Sequence, residues 1–173
     1  MVAALQHYLG IGDVETFKAA TAFTGAGTYI YEPIDQGFAS GSEMCGALCG
    51  GVMAIGSVYG RSEYIEGIGA HEQPEYMESI LRSRKFCHKY HQRFGSLRCS
   101  DVKMTVRGPN WMKYSSHGTV EALSDHDKCG EVAGAAARLV AEVILEPTEY
   151  YTPIINRETE LIRKVREQQK SQP

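Results

Sequence analysis

The sequence predicts an all-α fold: a compact helical bundle of about five helices joined by long irregular loops. Two observations carry this. Apolar residues recur at helical spacing through residues 42–59, 74–94 and 124–146, and each run is bounded by capping or breaking residues. No alternating apolar–polar run is long enough to build a sheet. A chain of 173 residues is also long enough to bury a core of its own.

Taken in order, residues 3–9 read as helix, and Asp13 can cap a second helix reaching about Phe23, with Val14, Phe17 and Ala20 inward. Residues 24–41 are rich in Gly, Pro and aromatics and read as an irregular loop. Ser42 then caps a helix to about Tyr59, with Met44, Leu48, Val52, Ile55 and Tyr59 at helical spacing. A second loop covers 60–73. Pro74 suits the first turn of a helix reaching about Phe94, whose expected seam is Tyr76, Ile80, Cys87, His91 and Phe94, with Gly95 as its stop.

Ser96 opens a short helical turn, and 106–123 reads as irregular around Gly108-Pro109. Asp127 or Ser124 starts the best-patterned helix. Its face is Val132, Ala133, Ala136, Leu139, Val140, Val143 and Ile144, and Pro147 ends it. From Asn156 the tail is charged, with Leu161, Ile162 and Val165 as its only apolar strip. The expected division is a helical cysteine-motif domain over 1–147 and a charged extension over 148–173.

A formal net charge of −3 gives no basic footprint for nucleic acid. The run from Gly46 to Tyr59 is too short and glycine-rich to span a bilayer. The N-terminal residues carry no basic region of the signal-peptide kind. Five cysteines are an odd number, unlike a closed disulfide framework, so a reducing, cytoplasmic setting is expected.

The cysteines are where chemistry is expected. Cys45 and Cys99 each follow a serine by three residues, in Ser42-Glu-Met-Cys45 and Ser96-Leu-Arg-Cys99. With the serines as caps, both thiols fall in a first helical turn, and Cys129 falls near a third helix start. Free N–H groups and the positive dipole end favour thiolates there, and a thiolate is both metal ligand and nucleophile. Cys49 lies one turn after Cys45 on the same face. Gly46, Ala47 and Gly50, with Gly51, would let a backbone or a cofactor approach closely. The plain alternative is packing, since free cysteine behaves as a small hydrophobe, and Cys87 reads as core. His91 is expected in the seam and His88 in solvent.

The stretch from Glu43 through Cys45, Cys49 and Gly51 to Met53–Gly56 and Tyr59-Gly60-Arg61 resembles the C-GCAxxG-C-C family of proteins regarded as redox-active. Arg93–Cys99 and the Cys129 helix are similar to its later cysteine blocks. The resemblance implies Cys45, Cys99 and Cys129 as family cysteines. The resemblance places the family's first cysteine before Met1, without a counterpart here, and implies Cys49 as its replacement. The resemblance also implies a small iron–sulfur or other thiolate-ligated metal centre, held by Cys45, Cys49, Cys99 and Cys129 against Gly46, Ala47 and Gly50. Such a centre would show as a visible chromophore and pass electrons to a redox partner protein. Two alternatives stand beside it: metal-free thiol–disulfide redox or sensing, and a homodimer or other homo-oligomeric assembly subunit whose cysteines are structural.

Overall fold

The computed structural model describes residues 2–16, 18–19, 44–63, 66, 68–109 and 120–170. Its helices are α1 (Val2–Leu9), α2 (Gly46–Tyr59), α3 (Pro74–Phe94), α4 (Cys99–Arg107), α5 (Val120–Ile144) and α6 (Thr152–Lys170). Residues 14–16 and 18–19 are also helical. Short 3-10 turns lie at Ala70–Glu72 and Thr148–Tyr150. Among the described residues there is no strand, only an isolated antiparallel bridge between Met44 and Arg98. The all-α prediction holds. The loop over 24–41, the proposed Ser42 cap, and Phe17, Ala20 and Phe23 lie outside the described residues.

Local chemistry accounts for the helix ends. Asp13 accepts the Thr16 backbone N–H at 2.8 Å, as an acidic cap should. Pro74 opens α3, and Gly95 closes it in the left-handed region at φ 77°, its N–H bonded to the His91 carbonyl at 2.8 Å. A side chain would be strained at that φ, so glycine is the natural stop.

α2, α3 and α5 form the central layer. α2 and α3 run antiparallel: Cys45 meets Tyr90, Gly51 meets Phe86, and Tyr59 meets Arg82. Leu48, Ile55, Phe86, Tyr90, Val140 and Val143 are fully enclosed between these helices. The seam of α3 differs from the expected one. Met77, Arg82, Phe86, Tyr90 and Phe94 are buried, whereas Tyr76, Ile80 and Cys87 are half-buried and His91 is exposed. The i, i+4 aromatic series Phe86, Tyr90, Phe94 wins because its rings bury more apolar area than the alternative face.

The starts of two helices also need correction. α5 begins at Val120 rather than at Ser124 or Asp127, which puts Cys129 well inside the helix. The short turn after Ser96 is a full helix, α4, with Arg98 as N-cap. Ser96 still serves that start: its hydroxyl accepts the Arg98 N–H at 3.1 Å and donates to Asp101 at 2.8 Å.

At the other end of the bundle Arg82 is fully buried. It pairs with Glu78 at 2.7 Å and donates to the Val143 and Glu146 carbonyls at 2.6 and 3.1 Å. Its guanidinium lies between the Tyr59 and Tyr151 rings, 3.9 and 4.3 Å from their centroids. The C-terminal carbonyls of α5 lack intrahelical donors; Arg82 supplies one to Val143 and the Tyr59 hydroxyl one to Ile144. α6 continues from this point. Ile155 and Tyr151 pack with Met77, and Arg166 pairs with Glu72, while Leu161 and Val165 stay exposed.

The central layer packs tightly at Gly51. A Cβ there would sit 2.4 Å from Phe86 Cε1 and 2.7 Å from Val140 Cγ2, whereas a Cβ at Gly56 would meet nothing within 4 Å. Gly51→Ala should therefore destabilise the protein by about 1–3 kcal/mol through overpacking. Gly56→Ala should stabilise it by about 0.5–1 kcal/mol through helix propensity. Urea unfolding of the two variants checks this opposite pair of signs.

Candidate functional site: a buried thiol pair

The site forms where the chain leaves α3. After Gly95 turns the backbone, Leu97 and Arg98 run alongside Met44 and Cys45, and the Cys45 N–H donates to the Leu97 carbonyl at 2.9 Å. That bridge sets the beginnings of α2 and α4 side by side. Cys45 is the N-cap of α2, in extended conformation at φ −67° and ψ 132°, and Cys99 is the first residue of α4. Both thus sit slightly earlier than the third helical position that serine caps would give, because the helices start at Gly46 and Cys99.

Position decides the chemistry of Cys45. The Cys99 S–H donates to the Cys45 sulfur, and this contact is the main cause that lowers the Cys45 thiol from about 9 to about 6. Burial opposes the shift, while the Tyr90 hydroxyl and the N–H groups of Ala47 and Leu48 favour the thiolate. Those two amides are the second and third of α2, the groups an N-cap side chain addresses. They face the sulfur without closing a full capping bond. Cys99 moves the other way, its thiol pushed far up by the same hydrogen bond and by burial, with Lys103 opposing. The hydrogen bond thus favours one thiolate beside one thiol, and the two sulfurs titrate as a pair.

Cys129 stands further off. The Arg107 guanidinium donates to its sulfur at 3.3 Å, and Cys129 is within electrostatic reach of both Cys99 and Tyr90. Lys103 is buried beside Cys99. Cys99, Lys103 and Arg107 follow each other at four-residue intervals, so one face of α4 carries a thiol and two cations. That spacing was a readable signal which the sequence reading passed over. The series Phe86, Tyr90, Phe94 was the signal for Tyr90.

The remaining sequence candidates fall elsewhere. Cys49 is half-buried one turn along α2, its thiol pushed up first by burial and then by the charges of Cys45 and Cys87. The Cys87 thiol is likewise pushed up by burial. Gly46 and Ala47 are half-buried at the start of α2, and Ala47 packs on the core. Gly50 is buried, and at its neighbour Gly51 a tight approach is made by helix packing. His88 and His91 are both exposed. Among the described residues no group of three or more His, Cys, Asp or Glu is arranged to hold a metal ion. No helix among them is long and apolar enough to cross a membrane.

Residues 1–143 match the family described as "Putative redox-active protein (C_GCAxxG_C_C)". The chain belongs to this family. The match ends inside α5, so α6 lies beyond it. No curated protein and no solved structure matches the chain. Family membership makes redox activity the coarse function, and the paired thiols are its candidate seat.

The paired titration has a direct spectroscopic consequence. As pH rises, one thiolate's worth of far-ultraviolet absorbance should appear with a midpoint about pH 6. Cys45→Ser should remove that step. Cys99→Ala should move it to higher pH, because the principal donor stabilising the Cys45 thiolate is gone. A titration of the three proteins checks the order.

Proposed function

We propose that this protein is a thiol–disulfide redox protein whose working couple is Cys45 and Cys99. The observation that carries the reading is the side-by-side placement of Cys45 and Cys99 at the starts of α2 and α4, where the hydrogen bond from Cys99 favours the Cys45 thiolate. A thiolate beside a second thiol is the arrangement that disulfide exchange needs.

The reaction balances without a further reagent. The Cys45 thiolate attacks one sulfur of an oxidised partner, R–S–S–R′. A Cys45–S–R bond forms, the partner's S–S bond breaks, and R′ leaves as thiolate. Cys99 gives its proton to that leaving group and attacks the Cys45 sulfur. The Cys45–Cys99 disulfide closes and R departs as thiolate. The partner gains two electrons and the pair loses two. Lys103 stabilises negative charge on Cys99 as it develops. Cys45 is only 8% exposed, which favours a small or closely fitted disulfide, including that of a partner protein, over bulky reagents.

A second reading makes the same sulfurs ligands of the iron–sulfur centre that the sequence resemblance implies. Two touching thiols with a third in electrostatic reach suit one edge of such a centre. A four-thiolate set is not assembled among the described residues.

Equilibration of the full chain in glutathione redox buffers, followed by disulfide mapping, tests the proposal. The expected product is a Cys45–Cys99 disulfide, formed equally in Cys49→Ser and Cys87→Ser and absent from Cys45→Ser and Cys99→Ser. A parallel anaerobic purification separates the second reading. Stoichiometric iron and sulfide that disappear in Cys45→Ser, with no disulfide formed, would replace the exchange mechanism by a metal centre.

A further inference from the structure

The antiparallel packing of α2 on α3 brings two further thiols to one level. From the contact between Gly51 and Phe86, Cys49 lies two residues back along α2 and Cys87 one residue on along α3. In antiparallel helices those steps run the same way in space, and at 1.5 Å per residue they differ by only about 1.5 Å.

Both thiols also lie on the same side of the seam. Lys85 and Lys89 pair with Glu146 and Glu142, so one flank of α3 is turned to α5 and its end. Cys87 is about 100° round from Phe86 in the opposite sense to Lys85, on the other flank. On α2, the stripe Cys45, Val52, Tyr59 leads to α3, where the Tyr59 ring packs on Arg82. Cys49 lies beside that stripe, four residues after Cys45 and three before Val52, on the side away from the enclosed Leu48 and Ile55. The two cysteines therefore share the outer edge of the α2–α3 seam, and both are half-buried there. The Cys45 and Cys87 sulfurs are each within electrostatic reach of Cys49.

We propose that Cys49 and Cys87 are a second dithiol, which takes the disulfide from the Cys45–Cys99 couple and closes it as a bond between α2 and α3. This rests on the exchange reading above. Cys49 attacks the Cys45 sulfur: a Cys49–Cys45 bond forms, the Cys45–Cys99 bond breaks, and the Cys99 thiolate takes the proton that Cys49 gives up. Cys87 then attacks the Cys49 sulfur. The Cys49–Cys87 bond forms, Cys45 leaves as a thiolate, and the Cys87 proton passes to solvent. Two electrons move from the second pair to the first. Cys45 and Cys49 are one turn apart, about 6 Å along α2. A dithiol with a stabilised thiolate makes the stronger oxidant once oxidised, whereas burial raises the Cys49 and Cys87 thiols. Transfer also carries the disulfide from a sulfur of a residue only 8% exposed to the edge of the seam.

Oxidised glutathione added to the reduced full chain, with acid quenching and disulfide mapping over time, tests the transfer. The Cys49–Cys87 bond should appear after Cys45–Cys99, and about tenfold more slowly in Cys45→Ser, where only the two less acidic thiols can react. Serine is a favoured N-cap, so this variant keeps the start of α2. Equal rates in the two proteins overturn the transfer. Cys49→Ser reads the first couple by itself. If it forms no Cys45–Cys99 disulfide, the exchange reading fails and the transfer fails with it. If it does, while the wild type never forms Cys49–Cys87, only the present inference is overturned. Diamide oxidation of Cys45→Ser tests the pairing without the first couple. A Cys49–Cys87 disulfide is expected, and thiols that stay unbridged overturn the second dithiol whatever the first couple does.

Discussion

The absence of a side chain at Gly51 is the constraint on which the arrangement depends. With no Cβ in the way, Phe86 and Val140 come against the α2 backbone at distances that any other residue would forbid. Because α2 and α3 run antiparallel, that single contact sets the register between them. Moving towards the N-terminus of α2 from Gly51 reaches Cys45, while moving towards the C-terminus of α3 from Phe86 reaches Tyr90. Moving the opposite way reaches Tyr59 and Arg82. Each helix rises 1.5 Å per residue, so a slip of one turn would separate both pairs at once.

The two ends of the bundle handle buried charge differently. At one end Arg82 is a permanent cation whose donors are matched by a carboxylate, two carbonyls and two aromatic faces. Such full matching is what makes a buried charge tolerable. At the other end the charge is conditional. Cys45 carries it only because a helix start, a neighbouring thiol and a tyrosine hydroxyl are directed at one sulfur. A site whose charge can be discharged by forming a bond is suited to redox work, whereas the Arg82 site can only hold the helices together.

The helices and their breakers were legible in the residues because they depend on local causes. Pro74 and Gly95 bound α3, and the apolar period from Val132 to Ile144 marks α5. Fine register was harder. Two faces of α3 offer helical spacing, and only burial against Gly51 and Val140 selects Phe86 and Tyr90 over Cys87 and His91. The start of α5 was misplaced because Ser124 and Asp127 have good capping chemistry yet lie within a helix that continues back to Val120. Propensity for a cap does not terminate a helix that packing supports.

By itself the sequence determined that the fold is helical, that its cysteines carry the interest, and that the motif around Cys45 belongs to a redox-active family. These follow from periodicity and from residue identity, which need no knowledge of neighbours. Tertiary structure alone decided which sulfurs meet. Cys45 and Cys99 lie more than fifty positions apart, yet the Gly95 turn and the Met44–Arg98 bridge bring them into contact, while Cys49, only one helical turn from Cys45, faces a different thiol environment. A thiol's acidity is set by the donors and charges within a few ångströms of its sulfur, and those come from α3 and α4 as well as from its own helix.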